Sequence, residues 1–180
     1  MKWEINCSVS NSFSLLALVI DPRETEGNRF FSLKKTMFIG EYTHTVDEKK
    51  RISLPSKFRK DLGGKVIITK SPDSCLILFP LKTWEKMAST LGQLPMGQRD
   101  NRDFGRFMLS GAAEVEVDSI GRILVPDFLR EFAELKSKVV FAGLYDRIEI
   151  WNEKDWTEKK KVIERQADAM SEKLGGMGVI

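Results

Sequence analysis

Residues 40–59, GEYTHTVDEKKRISLPSKFR, decide the fold, because the chain repeats their pattern 71 residues later as residues 111–130, GAAEVEVDSIGRILVPDFLR. Seven of the twenty aligned positions are identical, and they include an Asp, an Arg four residues later and a Pro four residues after that. A two-residue slip then aligns later segments, for example Asp73 with Asp146. Self-similarity of this kind indicates two copies of one structural unit.

We call the copies module one (residues 41–84) and module two (residues 112–155), and the same elements are predicted in both. Alternation of polar with apolar or small residues indicates half-buried strands, and Pro suits the first turn of a helix because its missing N–H costs nothing there. Module one is predicted to contain strand Glu41–Val46, turn Asp47–Lys50, strand Arg51–Leu54, a helix from Pro55 to Gly63, strands Lys65–Thr69 and Cys75–Phe79, and helix Leu81–Leu91. Module two is predicted to contain strand Ala112–Val117, turn Asp118–Gly121, strand Arg122–Val125, a helix from Pro126 to near Leu135, strands Lys138–Ala142 and Arg147–Trp151, and a helix that Asn152 caps.

About 45 residues rarely bury enough surface to fold alone. We therefore predict an α+β fold in which the two modules pair about a pseudo-two-fold axis and form one β-barrel with flanking helices. Gln98–Leu109 is predicted as a linking helix, and residues 156–180 as a C-terminal helix and tail that ends at Gly175 and Gly176.

Composition excludes several classes of function. Cys7, Cys75 and His44 are the only cysteines and histidine, so a Cys/His zinc site is not expected. No Gly-rich phosphate loop or nucleophile–base pair is present, so we predict no enzyme activity and no cofactor. The longest apolar run, Leu15–Ile20, has six residues, against about 20 for a membrane-spanning helix.

The two modules differ in charge. Module one has nine basic and five acidic residues, a balance of +4, whereas module two has six basic and ten acidic residues, a balance of −4. The overall charge of +3 therefore conceals a basic module. Because phosphate binding needs solvent-exposed cations on one side of a protein, we predict that module one faces DNA.

The candidate DNA-binding residues lie between positions 49 and 60: Arg51, Lys49, Lys50, Lys57, Arg59 and Lys60. Arg51 is the first candidate for a base or phosphate contact, since Arg pairs bidentately with guanine. Lys49 and Lys50, at the tip of the turn, are predicted to meet phosphates. A local ion pair with Asp47 is the alternative for Arg51, and an ordinary solvated helix face is the alternative for the cations at positions 57–60. For Asp118 and Arg122 the local ion pair is the favoured interpretation.

The pattern Asp-x-x-x-Arg-Ile-x-[Val/Leu]-Pro, present twice and with Gly before the Arg in the second copy, resembles the MraZ family of bacterial transcription regulators, within the SpoVT/AbrB-like swapped-hairpin group. Further matching pieces are MFIGEY at 37–42, CLILFPLKTW at 75–84, FMLSGA at 107–112 and DRIEIW at 146–151. The resemblance covers Met37 to about Lys173. Asp47, Pro55, Asp118, Gly121, Arg122 and Pro126 are the motif residues.

The resemblance implies a ring-shaped homo-oligomer that binds short direct repeats in double-stranded DNA and places DNA recognition at the motif arginine. The repeats would precede the division and cell-wall gene cluster, including the regulator's own gene, and the protein would be cytoplasmic and nucleoid-associated. Repression is the expected effect. The alternative is an antitoxin of the same fold group that holds a protein toxin with its C-terminal arm.

The chain departs from the family pattern in two places. Module one has Lys50 where the family, like module two at Gly121, has Gly before the motif Arg. If that position needs a positive φ, Lys strains the turn by about 1 kcal/mol; a different turn type is the alternative. Residues 1–36 form an unmatched extension, which we interpret either as the product of an upstream start codon misassigned by gene prediction or as a real disordered or partner-binding arm.

Overall fold

A computed structural model describes residues 37–179. The interpretations of residues 1–36 lie outside the described residues. Module one contributes strands β1 (Phe38–Thr45), β2 (Arg51–Ser53), β3 (Lys65–Lys70) and β4 (Leu76–Pro80), and module two contributes β5 (Ala113–Glu116), β6 (Arg122–Leu124), β7 (Lys138–Tyr145) and β8 (Arg147–Asn152). The helices are α1 (Ser56–Leu62), α2 (Leu81–Gly92), α3 (Arg99–Gly105), α4 (Asp127–Phe132) and α5 (Glu153–Gly176).

Six of the strands form one antiparallel sheet in the order β1-β7-β8-β4-β3-β5. Replacing each strand by its counterpart in the other module gives the same order reversed, which is the signature of a pseudo-two-fold axis. The first strand of each module pairs with the other module, since β1 hydrogen-bonds to β7 and β5 to β3. The modules are therefore interleaved.

The remaining strands, β2 and β6, pair with each other as a two-stranded ribbon. Ile52 lies opposite Ile123, its own counterpart in the repeat, so the pseudo-two-fold axis passes through this pair. Both side chains are fully buried.

The predicted α+β fold of two modules is confirmed, but the predicted barrel is not closed. β1 and β5 lie at opposite ends of the six-stranded order, and no ladder joins them. After β1, and again after β5, the chain leaves the sheet at a turn and continues into the ribbon. Within the described residues, the end of each of these strands is connected to the following ribbon strand by a single bridge, Val46–Ile52 in module one and Val117–Ile123 in module two. The turn that begins at each motif Asp thus ends the ladder before a barrel closes.

One hydrophobic core fills the space between the sheet, the ribbon and the short helices. Phe58 of α1 packs edge-to-face against Phe38 and Tyr42 of β1, with ring centroids 5.4 and 5.0 Å apart. Other fully buried members are Ile52, Leu54, Ile68, Leu76, Leu78, Ile123, Leu129, Phe141, Ile148 and Ile150. Both modules contribute to the same core, which agrees with the expectation that neither buries enough surface by itself.

Helices α1 and α4 begin one residue later than predicted, at Ser56 and Asp127. Pro55 and Pro126 cap α1 and α4 rather than lying in the first turn, with φ of −54° and −53° and extended ψ values of 132° and 144°. The fixed φ of the proline ring suits this position as well as it suits the first turn.

The helices outside the modules follow the sequence closely. The linking helix is α3 followed by a π-helical segment, Arg106–Ser110. Asn152 caps α5 as predicted, because its Oδ1 accepts a hydrogen bond from the Lys154 N–H at 3.1 Å. Trp156 of α5 packs against Trp151 of β8, and ion pairs of Lys159 with Asp73 (2.8 Å) and Lys160 with Glu41 (2.9 Å) join the same helix to the β3–β4 turn and to β1. Across residues 37–179, every helix is too short or too polar to span a bilayer.

The ribbon core gives a prediction about stability. Ile123→Ala is expected to lower the free energy of unfolding by about 2–5 kcal/mol, because it leaves a cavity at the pseudo-two-fold axis. Ile120→Ala, three residues away on a side chain that is 59% exposed, is the matched control and should stay within about 0.5 kcal/mol of the parent. Denaturant unfolding measures both; equal losses would contradict the placement of Ile123 in the core.

Candidate nucleic-acid interface

The first candidate site is the turn at Asp47–Lys50, which we call turn one. The Asp47 carbonyl accepts the Lys50 N–H, and the Asp47 N–H donates to the Arg51 carbonyl, both at 2.9 Å. The Asp47 carboxylate accepts the Arg51 backbone N–H at 2.9 Å and the Arg51 Nε–H at 2.8 Å. The backbone N–H of Arg51 and then its guanidinium lower the pKa of Asp47.

Turn two, Asp118–Gly121, repeats this geometry. The Asp118 carboxylate accepts the Arg122 N–H at 2.8 Å and its Nε–H at 2.7 Å, and the pKa of Asp118 is lowered by the same cause. The local Asp–Arg ion pair therefore exists in both modules. The two pairs adjoin, since an Arg122 Nη1 lies 3.8 Å from Asp47 Oδ2.

The residue before each motif Arg has a positive φ, 61° at Lys50 and 81° at Gly121. Lys50 therefore has the positive φ that strains a residue with a side chain, and the alternative, that turn one is of another type, is wrong. At Gly121 the space is also taken, because a Cβ there would lie within 2.6 Å of the Cδ, Nε and Cζ atoms of Arg59. Any other residue in turn two would take a positive φ and would have to displace the Arg59 side chain.

Arg59, predicted as a DNA contact, braces turn two from α1. Its Nε–H donates to the Leu54 carbonyl and its Nη1–H to the Ile120 carbonyl, each at 2.8 Å. Its counterpart Arg130 makes no such contact with turn one; it donates to Asp127 at 2.8 Å, and its buried Nε has no partner among the described residues.

Lys50 accounts for this difference between the modules. It carries a side chain at the position where Gly121 leaves room for Arg59, and its Nζ binds Asp127 at 3.1 Å. Two cations thus share the Asp127 carboxylate, and hydrogen bonds from Arg130 and then Lys50 lower its pKa.

The structure divides the six predicted DNA-binding residues into two groups. Lys49 and Lys50 belong to turn one, which contacts α4 through Asp127, and Arg51 directly follows that turn at the start of β2. Lys57, Arg59 and Lys60 belong to α1, which contacts turn two. The sequence placed these cations in one cluster because they are close in the chain. Lys49, Lys57 and Lys60 are exposed, and none forms an ion pair within the described part of the chain.

Both motif arginines point outward from the ribbon, with exposed side-chain fractions of 29% for Arg51 and 24% for Arg122. Their own geometry is the same, so only their neighbours distinguish them. Position for position, module one exposes Lys49, Lys57 and Lys60 where module two has Ile120, Phe128 and Glu131.

Comparison with known proteins agrees with this duplicated arrangement. The family model described as "MraZ protein, putative antitoxin-like" matches twice, at residues 37–107 and 108–173. The chain belongs to the MraZ family.

Relatives named "Transcriptional regulator MraZ" are similar over most of their length. The protein from Moorella thermoacetica is 45% identical over 138 residues, which is 77% of this chain and 96% of that protein. The protein from Caldicellulosiruptor saccharolyticus is 44% identical over 143 residues, 79% of this chain and 100% of that protein. The protein from Leuconostoc mesenteroides is 48% identical over 121 residues, 67% of this chain and 85% of that protein.

Sequence reasoning missed two features of this MraZ chain. The bracing role of Arg59 had one signal, the glycine at position 121, since a glycine in a turn indicates a positive φ or a close approach. The division of the cations between the two turns had no signal in the local sequence, because it follows from the interleaving. Within residues 37–179 no group of three His, Cys, Asp or Glu side chains is arranged to hold a metal ion.

The two turns give a matched pair of backbone predictions. Gly121→Ala is expected to destabilise the protein by at least about 1–2 kcal/mol, since it adds a Cβ at positive φ and displaces Arg59. Lys50→Gly, the equivalent position in module one, is expected to stabilise by about 1 kcal/mol by releasing strain. Denaturant unfolding tests both, and a loss of stability in Lys50→Gly would contradict the assigned strain.

The depressed pKa of Asp47 predicts a pH-dependent effect. Because the folded pKa lies below the unfolded one, the Asp47 carboxylate stabilises the fold at pH values above the ordinary pKa of Asp, and this contribution is lost as the pH falls through the folded pKa. Asp47→Asn should therefore be less stable than the parent at neutral pH, and the two should converge in acid. Thermal melts at a series of pH values measure the difference; a gap independent of pH would contradict the ion pair.

Proposed function

We propose that this chain is a sequence-specific DNA-binding transcriptional regulator, and specifically a repressor that binds direct repeats upstream of the division and cell-wall gene cluster, including its own gene. The family membership and the printed names of the relatives support regulation of transcription. The gene cluster, the repeats and the place of action, in the cytoplasm at the nucleoid, come from the family resemblance alone.

The observation that carries the proposal is the contrast between equivalent exposed positions. A pseudo-symmetric molecule has no structural reason to expose lysines at positions 49, 57 and 60 and Ile, Phe and Glu at the counterparts in module two. Exposed cations without ion-pair partners among residues 37–179 can bind a phosphate backbone, and the counterions that they displace from the DNA drive association.

The six candidate residues take unequal parts in this proposal. Arg51 contacts a base edge, and Lys49 contacts a phosphate beside it. Lys57 and Lys60 contact phosphates near turn two. When DNA binds, Lys50 leaves Asp127 and binds a phosphate. The loss in free energy is small, because an exposed ion pair contributes at most about 1 kcal/mol to stability. Arg59 acts through turn two, which it braces.

A ring of identical subunits explains how a small basic face achieves useful affinity. Direct repeats match head-to-tail subunits, whose interfaces are heterologous and close into a ring. Once one subunit is bound, its neighbours bind at a high effective concentration. The ring therefore accompanies the proposed recognition of direct repeats.

The antitoxin alternative is weaker for this chain. It rests on a C-terminal arm that holds a toxin, and antitoxins of this fold group usually have one module and a disordered tail. Here the C-terminal residues continue a helix to Gly176 after a second folded module.

The test is DNA binding by two equivalent variants. Arg51→Ala is expected to abolish specific binding to the DNA upstream of the protein's own gene, because it removes the proposed base contact, whereas Arg122→Ala should reduce binding much less. Lys49→Ala should weaken binding to all sequences and lower the salt dependence by about one phosphate per subunit. Gel-shift titration at several salt concentrations measures these effects.

Gel filtration and thermal melting serve as controls, since neither should change greatly in Arg51→Ala. Normal binding by Arg51→Ala would overturn its proposed role. Equal losses in Arg51→Ala and Arg122→Ala would mean that both turns read bases.

A further inference from the structure

The ribbon formed by β2 and β6 presents a short outward face. Ile52 and Ile123 point inward and are fully buried. Because side chains alternate along a strand, the residues on either side of them point outward. These outward residues are Arg51 and Ser53 on β2 and Arg122 and Leu124 on β6.

The register groups these four residues into one pair at each end of the ribbon. Arg51 lies directly opposite Leu124, and Arg122 lies directly opposite Ser53. Side chains in such cross-strand pairs have Cβ atoms about 4.5–5.5 Å apart. Under the pseudo-two-fold axis Arg51 corresponds to Arg122 and Leu124 to Ser53, so the two outward pairs of the ribbon differ only by leucine in place of serine.

Leu124 is 56% exposed, although it lies next to a fully buried isoleucine. The two arginines are fixed by their aspartates, with Arg51 Nη2 at 2.7 Å from Asp47 Oδ2. One end of the ribbon therefore presents a fixed guanidinium beside an exposed aliphatic group, and the other presents a fixed guanidinium beside a hydroxyl.

We propose that Arg51 and Leu124 together read two neighbouring base pairs, with Arg51 on a guanine and Leu124 on the 5-methyl group of a thymine. This inference rests on the proposed function. A two-stranded ribbon fits the major groove, where the thymine methyl is the distinctive apolar feature of the base edges. Arg122 and Ser53 offer no apolar group to a thymine methyl. The two ends of the ribbon therefore prefer different bases, and this difference fixes the direction in which each bound subunit lies along the DNA.

This asymmetry fits the placement of the lysines. Helix α1, with Lys57 and Lys60, lies against turn two, at the end without the leucine. Phosphate contacts position a protein without reading sequence. The Arg51–Leu124 end thus reads the sequence, and the Arg122 end with α1 anchors the backbone.

The experiment removes single methyl groups from the DNA. A duplex selected by the full-length protein from a random library is resynthesised with each thymine replaced in turn by deoxyuridine, which lacks only the 5-methyl group. The parent is expected to lose about fourfold in affinity per contacted methyl group, at a thymine next to a guanine whose replacement weakens binding by the parent. Leu124→Ser, which copies the residue of module one, should show no such loss at that thymine.

Phe128→Ser is the matched control, since Phe128 is 47% exposed but lies on α4, outside the ribbon. It should keep the sensitivity to deoxyuridine of the parent. Equal sensitivity of Leu124→Ser and the parent at every thymine would overturn the inference. A changed mass of the assembly in Leu124→Ser would also overturn it, because Leu124 would then be a contact between subunits.

The failure of the inference is distinguishable from failure of the proposed function. If the selection enriches no sequence, both are overturned. If the parent binds a selected sequence and Arg51→Ala does not, but no thymine depends on Leu124, only the inference is overturned.

Discussion

The pairing of each module's first strand with the other module is the constraint on which the rest of this structure depends. β1 completes the sheet of module two and β5 completes that of module one, so neither module has a finished core alone. The crossing also forces each first strand through a turn and into the ribbon, where β2 pairs with its counterpart β6, just as β4 pairs with its counterpart β8 at the centre of the sheet. The turns and arginines are therefore at the surface because the strands are interleaved.

Much of this arrangement was predictable from the sequence, because it is local. The Asp, Arg and Pro of the repeated motif fix a turn, a short strand and a helix start, and those elements were predicted to within one or two residues. The apolar patterns of β3, β4, β7 and β8 likewise predict buried strands. The unpaired edges of the sheet were not predictable, since closure depends on where β1 and β5 end relative to each other in space.

The candidate site was predicted only in part, for the same reason. The charge difference between modules is a property of composition, and the sequence is sufficient to show it. The neighbours of each cation depend on the fold: α1 follows turn one in the chain but lies against turn two, where Arg59 binds the Ile120 carbonyl. The two arginines Arg59 and Arg130 also differ in their contacts, because turn one has the Lys50 side chain where turn two has glycine. Arg59 binds turn two, whereas Arg130 binds Asp127 instead of turn one.

The interleaving has a consequence for how the chain is made. The pairing of Phe38 with Tyr145 and of Thr45 with Lys138 joins residues about a hundred positions apart. A ribosome must therefore release most of module two before β1 has its hydrogen-bonding neighbour, and until then the apolar side of β1 faces water or a chaperone. Contacts so distant in the chain are also slow to form during folding. In a duplicated protein of this kind, the pairing that brings the two turns together also delays the folding of module one until module two has been synthesised.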